Sequence, residues 1–318
     1  MATQSEPARA QLTSPHVSIL CATYNGALYL RQQLDSIAAQ THHNWSLLVS
    51  DDKSSDDSRK IITEFREEGH DVALFDGPCS GGTANFMSLI ARLPDNTDWV
   101  AFCDQDDVWL DNKLERGIAA LADIPPDQPA LYCSRTWVTD VALEGRKISA
   151  PRPRPASFRN ALIQNIASGN TILLNPAAAR LIRDAAMEAG PVVVHDWWVY
   201  QVLTGAGSII VHDESPTLLY RQHSANSIGA NDGVMAKIWR IGMILSGEFR
   251  QWNDTNLAAL GRSAHRLTPE NRAILEGFSA ARDAPAPLRI KKFGGLGLYR
   301  QTRSSTLALW ISMLFGKL

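Results

Sequence analysis

Apolar and polar positions alternate in blocks along the first 121 residues. The run "HVSILCATYN" (16–25) is a continuous apolar stretch ending in a polar turn, the pattern of a buried strand. "LYLRQQLDSIAAQ" (28–40) places Leu30, Leu34 and Ile37 at helical spacing, and "WSLLVSDD" (45–52) returns to a strand pattern. A helix follows with Ile61, Ile62 and Phe65 on one side, started by Ser or Asp caps and stopped near Gly69. "DVALFD", "TANFMSLIARL" and "DWVAFCDQDD" then give strand, helix and strand. Strands that are apolar throughout and separated by helices predict a parallel sheet covered on both faces, an α/β fold.

After Leu121 the alternation weakens. "ALYCSRTWVTD" predicts another strand, and "PRPRP" (151–155) a Pro-rich loop. "NALIQNIASGNTILLNPAAARLI" reads as helix, turn, strand and helix, and "HDWWVYQVLTGAG" as a helix opening on an acid. "SIIVHDESPTLLYRQH" holds two strand-like runs. From about Gly233 the pattern is helical, with Ile238, Ile241 and Leu245 in register. The expected organisation is a polar, disordered lead (1–15), an α/β unit (16–230) and a helical C-terminal region (231–318).

In parallel sheets ligands bind at the carboxyl ends of the strands. The polar clusters "TYN", "SDD" and "DQDD" all fall at such ends, so three loops are expected to converge on one crevice. The last cluster is the sharpest feature of the chain. "FCDQDDVWLDNKLE" (102–115) brings Asp104, Asp106 and Asp107 out of an apolar strand side by side. Like charges this close repel, so a metal ion, a cationic partner or water must compensate them.

Composition narrows the partners. A formal net charge of −2 in 318 residues argues against a nucleic-acid binder, which would show a basic face. Cys21, Cys79, Cys103 and Cys133 have no CxxC spacing and read as buried, reduced thiols of a cytosolic protein. No apolar stretch is long enough to span a bilayer. "TLALWISMLFGKL" at the chain end comes closest, and the Arg- and Lys-rich "RIKKFGGLGLYRQTR" precedes it. That pairing suits peripheral contact with an anionic membrane surface, and equally a final helix packed on the protein.

The familiar phosphate devices are missing. There is no GxxxxGK[ST], no GxGxxG at the first strand–helix turn and no HExxH. "DDKSSDDSRKII" faintly matches a calcium loop but lacks the Gly and Glu required at its sixth and twelfth positions. What remains is an acidic crevice without a glycine loop. A diphosphate can bind there if Mg²⁺ or Mn²⁺ lies between it and the carboxylates. Asp104-Gln105-Asp106 places two acids on the same side of an extended chain, as such a site requires.

These residues carry a resemblance. "VSILCATYNGALYLRQQLDSIAAQTHHNWSLLVSDDKSSDDS" resembles the opening of family 2 glycosyltransferases, which have the GT-A fold, and "FCDQDDVWLDNKL" resembles their D-x-D segment. "DQDDVW", "HDWW" and "YRQHSANSIG" are most similar to the bacterial rhamnosyltransferase branch that builds O-antigen and related polysaccharides. The resemblance spans roughly residues 16 to 230. It implies that Thr23, Tyr24 and Asn25 line a nucleotide pocket and that Asp52, rather than Asp51, accepts from a pyrimidine N3–H. It gives Asp104 and Asp106 to the metal and sugar nucleotide, with Asp107 free to support the loop instead. It makes Asp196 the catalytic base, with Trp197 and Trp198 raising its pKa and offering a sugar-stacking surface. His223 matches a late histidine that completes the metal or diphosphate site, Arg221 is placed to pair with the diphosphate, and Gly169 and Asn170 lie beneath the acceptor.

The implied reaction is inverting, metal-dependent transfer of a sugar from a dTDP- or UDP-sugar to a glycan or lipid-linked acceptor. L-Rhamnose from dTDP-L-rhamnose is the first choice of donor, and the inner face of the cytoplasmic membrane the implied location. Departures exist. The chain has no QxxRW motif of processive polymerases, and Ala22 stands where some relatives carry a hydroxyl near the base. Two other classes stay open: a metal-dependent nucleotidyl- or phosphotransferase, and a non-catalytic sugar-nucleotide-binding protein. The first would place Lys in the loop "ATYNGALYL", which has none.

Overall fold

A computed structural model describes residues 14–223 and 247–318. The lead up to residue 13, the "SANSIG" part of the late motif and the helical pattern expected at Ile238 to Leu245 lie outside the described residues.

The alternation seen in the sequence is realised. Strands β1 (Val17–Thr23), β2 (Trp45–Asp51), β3 (Val72–Asp76) and β4 (Trp99–Cys103) are separated by helices α1 (Ala27–Ala38), α2 (Ser58–Glu67) and α3 (Gly82–Ala91). They pair in parallel in the order β3-β2-β1-β4. The register sets Asp76 beside Asp51 and Asp51 beside Thr23, so these strands end on one edge.

The second half continues the same sheet differently. After the short β5 (Val108–Trp109) and α4 (Lys113–Leu121) come β6 (Ala130–Thr139), β7 (Lys147–Ile148), α5 (Phe158–Ala161), β8 (Leu173–Leu174), α6 (Pro176–Ala189), α7 (His195–Gly205) and β9 (Ile209–Arg221). Two-residue β8 pairs antiparallel to both β4 and β6, and β9 runs parallel to β6. Two reversals cancel, so β9 points the same way as β4. Its end, Arg221 to His223, therefore lies on the edge that holds Asp104. The two strand-like runs expected between 208 and 223 form this one strand. Its register slips between Ser134 and Arg135, opposite Asp213 and Pro216. Pro216 has no N–H to give a ladder, and the bulge accommodates it.

Alternate strand residues feed two cores, as a doubly covered sheet demands. Ile19, Cys21 and Val49 pack with Leu30, Leu34, Ile37 and Phe65 on one face. Leu20, Val100 and Phe102 pack with Phe86, Leu89, Ile182 and Trp198 on the other. Beyond residue 247 every described element is helical: α8 (Glu248–Arg262), α9 (Pro269–Asp283), α10 (Ala286–Gly295) and α11 (Arg303–Leu314), besides a single 3-10 turn. Phe278, Phe293, Leu309 and Met313 join the core on α6 and α7. Of the four free thiols, Cys21, Cys103 and Cys133 are buried, but Cys79 is exposed. It lies on a loop with positive φ rather than in a strand, which corrects the expectation of four buried thiols.

Candidate active site

The site forms where β1, β2, β4 and β9 end. At β2, Asp51 is enclosed and wholly used inside the fold. It accepts from Thr23 Oγ1 (3.0 Å), Ser54 N (3.0 Å) and Ser54 Oγ (2.5 Å), and pairs with Arg59 (3.2 Å). Thr23 is therefore turned to its neighbouring strand. Asp52 takes Cys79 N (2.8 Å) and Gly81 N (3.1 Å), one on each carboxylate oxygen, which fixes its plane and leaves lone pairs on both.

The run that faintly matched a calcium loop has another task. Ser58 Oγ and Asp56 Oδ2 accept from Gly26 N and Ala27 N, amides that the start of α1 leaves unpaired. Asn25 holds a left-handed backbone (φ 46°) and accepts from Ser55 N at 2.8 Å. Tyr24, at the tip, keeps its ring in solvent. Gln105, the middle residue of the D-x-D, binds the Tyr24 backbone twice, accepting from its N–H (2.9 Å) and donating to its carbonyl (3.1 Å). A Cβ on Gly26 would sit 2.3 Å from Gln105 Oε1, so glycine is required for this tie. Sequence reasoning assigned Gln105 no role; its place between two acids was the available signal.

The three acids divide their work. Asp107 is buried, accepting from Asn170 Nδ2 (2.6 Å) and Arg221 N (3.3 Å). Burial, then the charges of Asp104 and Asp106, push its pKa well above the carboxylate range. It is part of the scaffold. Asp106 Oδ2 meets His223 Nε2 at 2.7 Å. Asp104 carries no hydrogen bond on its carboxylate among the described residues. Burial and the neighbouring charges of Asp106 and Asp196 push its pKa up to about 8.

Asp196 stands in the first turn of α7. Its Oδ2 accepts from Gly169 N (2.9 Å) and its Oδ1 from Trp197 N (2.6 Å). Burial lifts its pKa to about 6 against these hydrogen bonds. The turn Gly169–Thr171 links two acids: Gly169 holds Asp196 and Asn170 holds Asp107. A Cβ on Gly169 would lie 2.9 Å from His195 Nε2 and 3.4 Å from Asp196 Cβ. His195 is stacked on Phe86 (3.9 Å, 18°), and burial lowers its pKa to about 3, so it is neutral.

Two expectations are corrected. Arg221 is not free for a diphosphate. Its Nε donates to Asp106 O (2.9 Å), and its other nitrogens donate to Val141 O and Gln32 Oε1, with the guanidinium over Tyr29 (4.4 Å). It is 3% exposed and spent on holding the acidic loop. Trp197 and Trp198 do not offer a stacking surface. Trp198 is fully enclosed in the core, and Trp197 donates Nε1–H to Ala161 O (2.6 Å) beside Phe249 and Trp252. A helix that must bury one flank turns its largest side chains inward. The structure thus brings Asp104, Asp106, Asp107, Asp196, Gly169, Asn170, Arg221 and His223 together, with Tyr24, Asn25 and Asp52 on the adjoining strand ends.

Acids gather at the carboxyl edge of the sheet with Asp196 beside them, the place where such sheets bind ligands. The glycosyl transferase family 2 profile matches residues 18–188, and the chain belongs to that family. It is similar to the dTDP-rhamnosyl transferase RfbG of Shigella flexneri, 27% identical over 238 residues, 72% of this chain and 81% of that protein. It is also similar to the UDP-Glc:alpha-D-GlcNAc-diphosphoundecaprenol beta-1,3-glucosyltransferase WfgD of Escherichia coli. There the identity is 28% over 166 residues, 50% of this chain and 62% of that protein. Among solved structures, S. aureus TarS 1-349 in complex with UDP-GlcNAc superposes with a TM-score of 0.54 at 15% identity, covering 88% of this chain and 80% of that one. The fold is GT-A, and the chain is a glycosyltransferase.

Proposed function

We propose that this glycosyltransferase moves L-rhamnose from dTDP-L-rhamnose to a hydroxyl of a lipid-linked or polysaccharide acceptor, with inversion at the anomeric carbon. The reading includes a peripheral location on the inner face of the cytoplasmic membrane. The observation that carries the chemistry is Asp196: a carboxyl group with its pKa near 6, held by Gly169 N beside Asp104 and Asp106. The donor sugar is supported by the likeness to a dTDP-rhamnosyl transferase over most of both chains.

Asp104, Asp106 and His223 suit Mg²⁺ or Mn²⁺. They supply oxygen and imidazole donors, and the Asp104 carboxylate has no other partner among the described residues. No group of three such side chains is preassembled for a metal ion among the described residues. The ion would supply positive charge against the departing diphosphate. The chain's own residues do the rest. Tyr24, Asn25 and Asp52 bound the space for the base. Asp196 accepts the proton of the acceptor hydroxyl as that oxygen attacks C1 and the C1–O bond to the diphosphate breaks on the opposite side. Gly169 and Trp197 amides hold the carboxylate in place while it does so.

Calorimetric titration with dTDP, UDP and GDP, each with Mn²⁺ and with EDTA, tests the reading. Mn²⁺-dependent binding that favours dTDP supports it. Preference for UDP removes rhamnose and keeps the transferase; binding indifferent to EDTA removes the metal.

A further inference from the structure

We propose that the outer face of α10 and α11 is a docking surface that lies flat on an anionic lipid bilayer. Helix α11 is apolar on nearly all sides, yet only one side is covered. Leu309 and Met313 are buried, and Trp310 packs edge-on against Phe293 of α10 (5.0 Å, 87°). On the other side Leu307 (62% exposed), Ile311 (48%), Leu314 (49%) and Phe315 (69%) face solvent. Their spacing of four, three and one residues makes one continuous stripe along the helix. Leu288 of α10 adds a further exposed apolar side chain. A soluble surface rarely gathers large apolar groups in this way without a partner.

The charge around the stripe selects the partner. Asp283 is the last acidic residue of the chain, whereas Arg289, Lys291, Lys292, Arg300, Arg303 and Lys317 follow it, in a protein whose formal net charge is −2. Lys291 and Lys292 are exposed on α10, one turn from Leu288, and Arg303 heads the stripe one turn before Leu307. None of these three is in an ion pair among the described residues. A second copy of the chain would set this cationic face against itself, with no carboxylate to answer it. Anionic headgroups answer it directly, while the stripe enters the headgroup–acyl boundary. No helix among the described residues is long and apolar enough to cross a membrane, so the contact is tangential. The surface deepens the proposed function and rests on it only for the acceptor being lipid-linked.

The test is co-sedimentation of the full chain with phosphatidylcholine vesicles, with and without phosphatidylglycerol, in the absence of any sugar nucleotide. Sedimentation with the anionic vesicles is expected, weakening as salt is raised. Leu307→Asp with Ile311→Asp, and separately Lys291→Glu with Lys292→Glu and Arg303→Glu, are each expected to lower vesicle affinity at least about tenfold. Both sets lie on the exposed face, and an unchanged circular-dichroism spectrum and thermal midpoint certify the fold. Equal sedimentation of wild type and both variants overturns the proposal, as does failure of the wild type to bind. A wild-type dimer in light scattering that Ile311→Asp dissociates assigns the face to a second copy and also overturns it. Because no donor is present, these outcomes stand apart from failure of the transferase reading.

Discussion

Asp196 is the base in the proposed reaction, and its environment predicts a pH dependence. An acid with a pKa near 6 is protonated below that pH and cannot accept a proton; above it the carboxylate is free to do so. The rate of transfer is therefore expected to rise about tenfold per pH unit up to about pH 6 and then level. Asp196→Asn removes the proposed base without changing shape. We expect turnover to fall about 10²–10⁴-fold while dTDP affinity measured by calorimetry stays within about twofold. Equal loss of both would make Asp196 a binding group instead. Gly169 gives a subtler case. Its missing side chain lets its amide reach Asp196, and a methyl group there meets His195 Nε2 at 2.9 Å. Gly169→Ala should displace Asp196 and cost roughly 10²-fold in kcat with little change in KM, which steady-state kinetics can separate. The sequence marked both residues through "SGN" and "HDWW". It did not show that a backbone amide joins them, because that bond spans 27 positions.

At the scale of elements, the end of β9 braces the acidic loop. Arg221 lies in a strand 115 positions after Asp106, yet it binds the Asp106 carbonyl, while its own amide donates to Asp107. Removing this guanidinium takes the donor away from the Asp106 and Val141 carbonyls and from Gln32 Oε1. Arg221→Met is expected to lower unfolding stability by about 2–4 kcal/mol, read as a shift of the urea midpoint. Arg221→Lys should recover little of it, since a point charge cannot reproduce a planar fork. A variant as stable as the wild type would show that other donors satisfy these acceptors. The resemblance gave Arg221 to the diphosphate. Which of its possible partners it takes depends on loop contacts with Gln32 and Val141 that no local pattern encodes. The same holds for α7. The resemblance implied a sugar platform for its two tryptophans. Packing against Phe249, Trp252 and the α5 carbonyl at Ala161 decided for the core. Trp198→Ala should accordingly cost about 3–5 kcal/mol of stability in the same urea experiment.

For the whole molecule, the sequence by itself determined the α/β alternation, because a strand buried on both faces must be apolar throughout and a covering helix must repeat every three or four residues. It also determined that acids and small polar residues gather at the strand ends, since parallel strands release their chain at one edge. Tertiary structure decided what those residues do. The antiparallel two-residue strand β8 reverses direction twice and so brings β9 to the same edge as β4, delivering Arg221 and His223 to Asp106 and Asp107. It shut Asp51 and Asp107 inside hydrogen-bond networks and left the Asp104 carboxylate without a hydrogen bond among the described residues. It covered one side of α11 and left the other bare. Composition and periodicity specify which residues prefer burial and which prefer water. They do not specify which long-range partner satisfies a given charge, because that choice is made by strand direction and by packing between segments far apart in the chain.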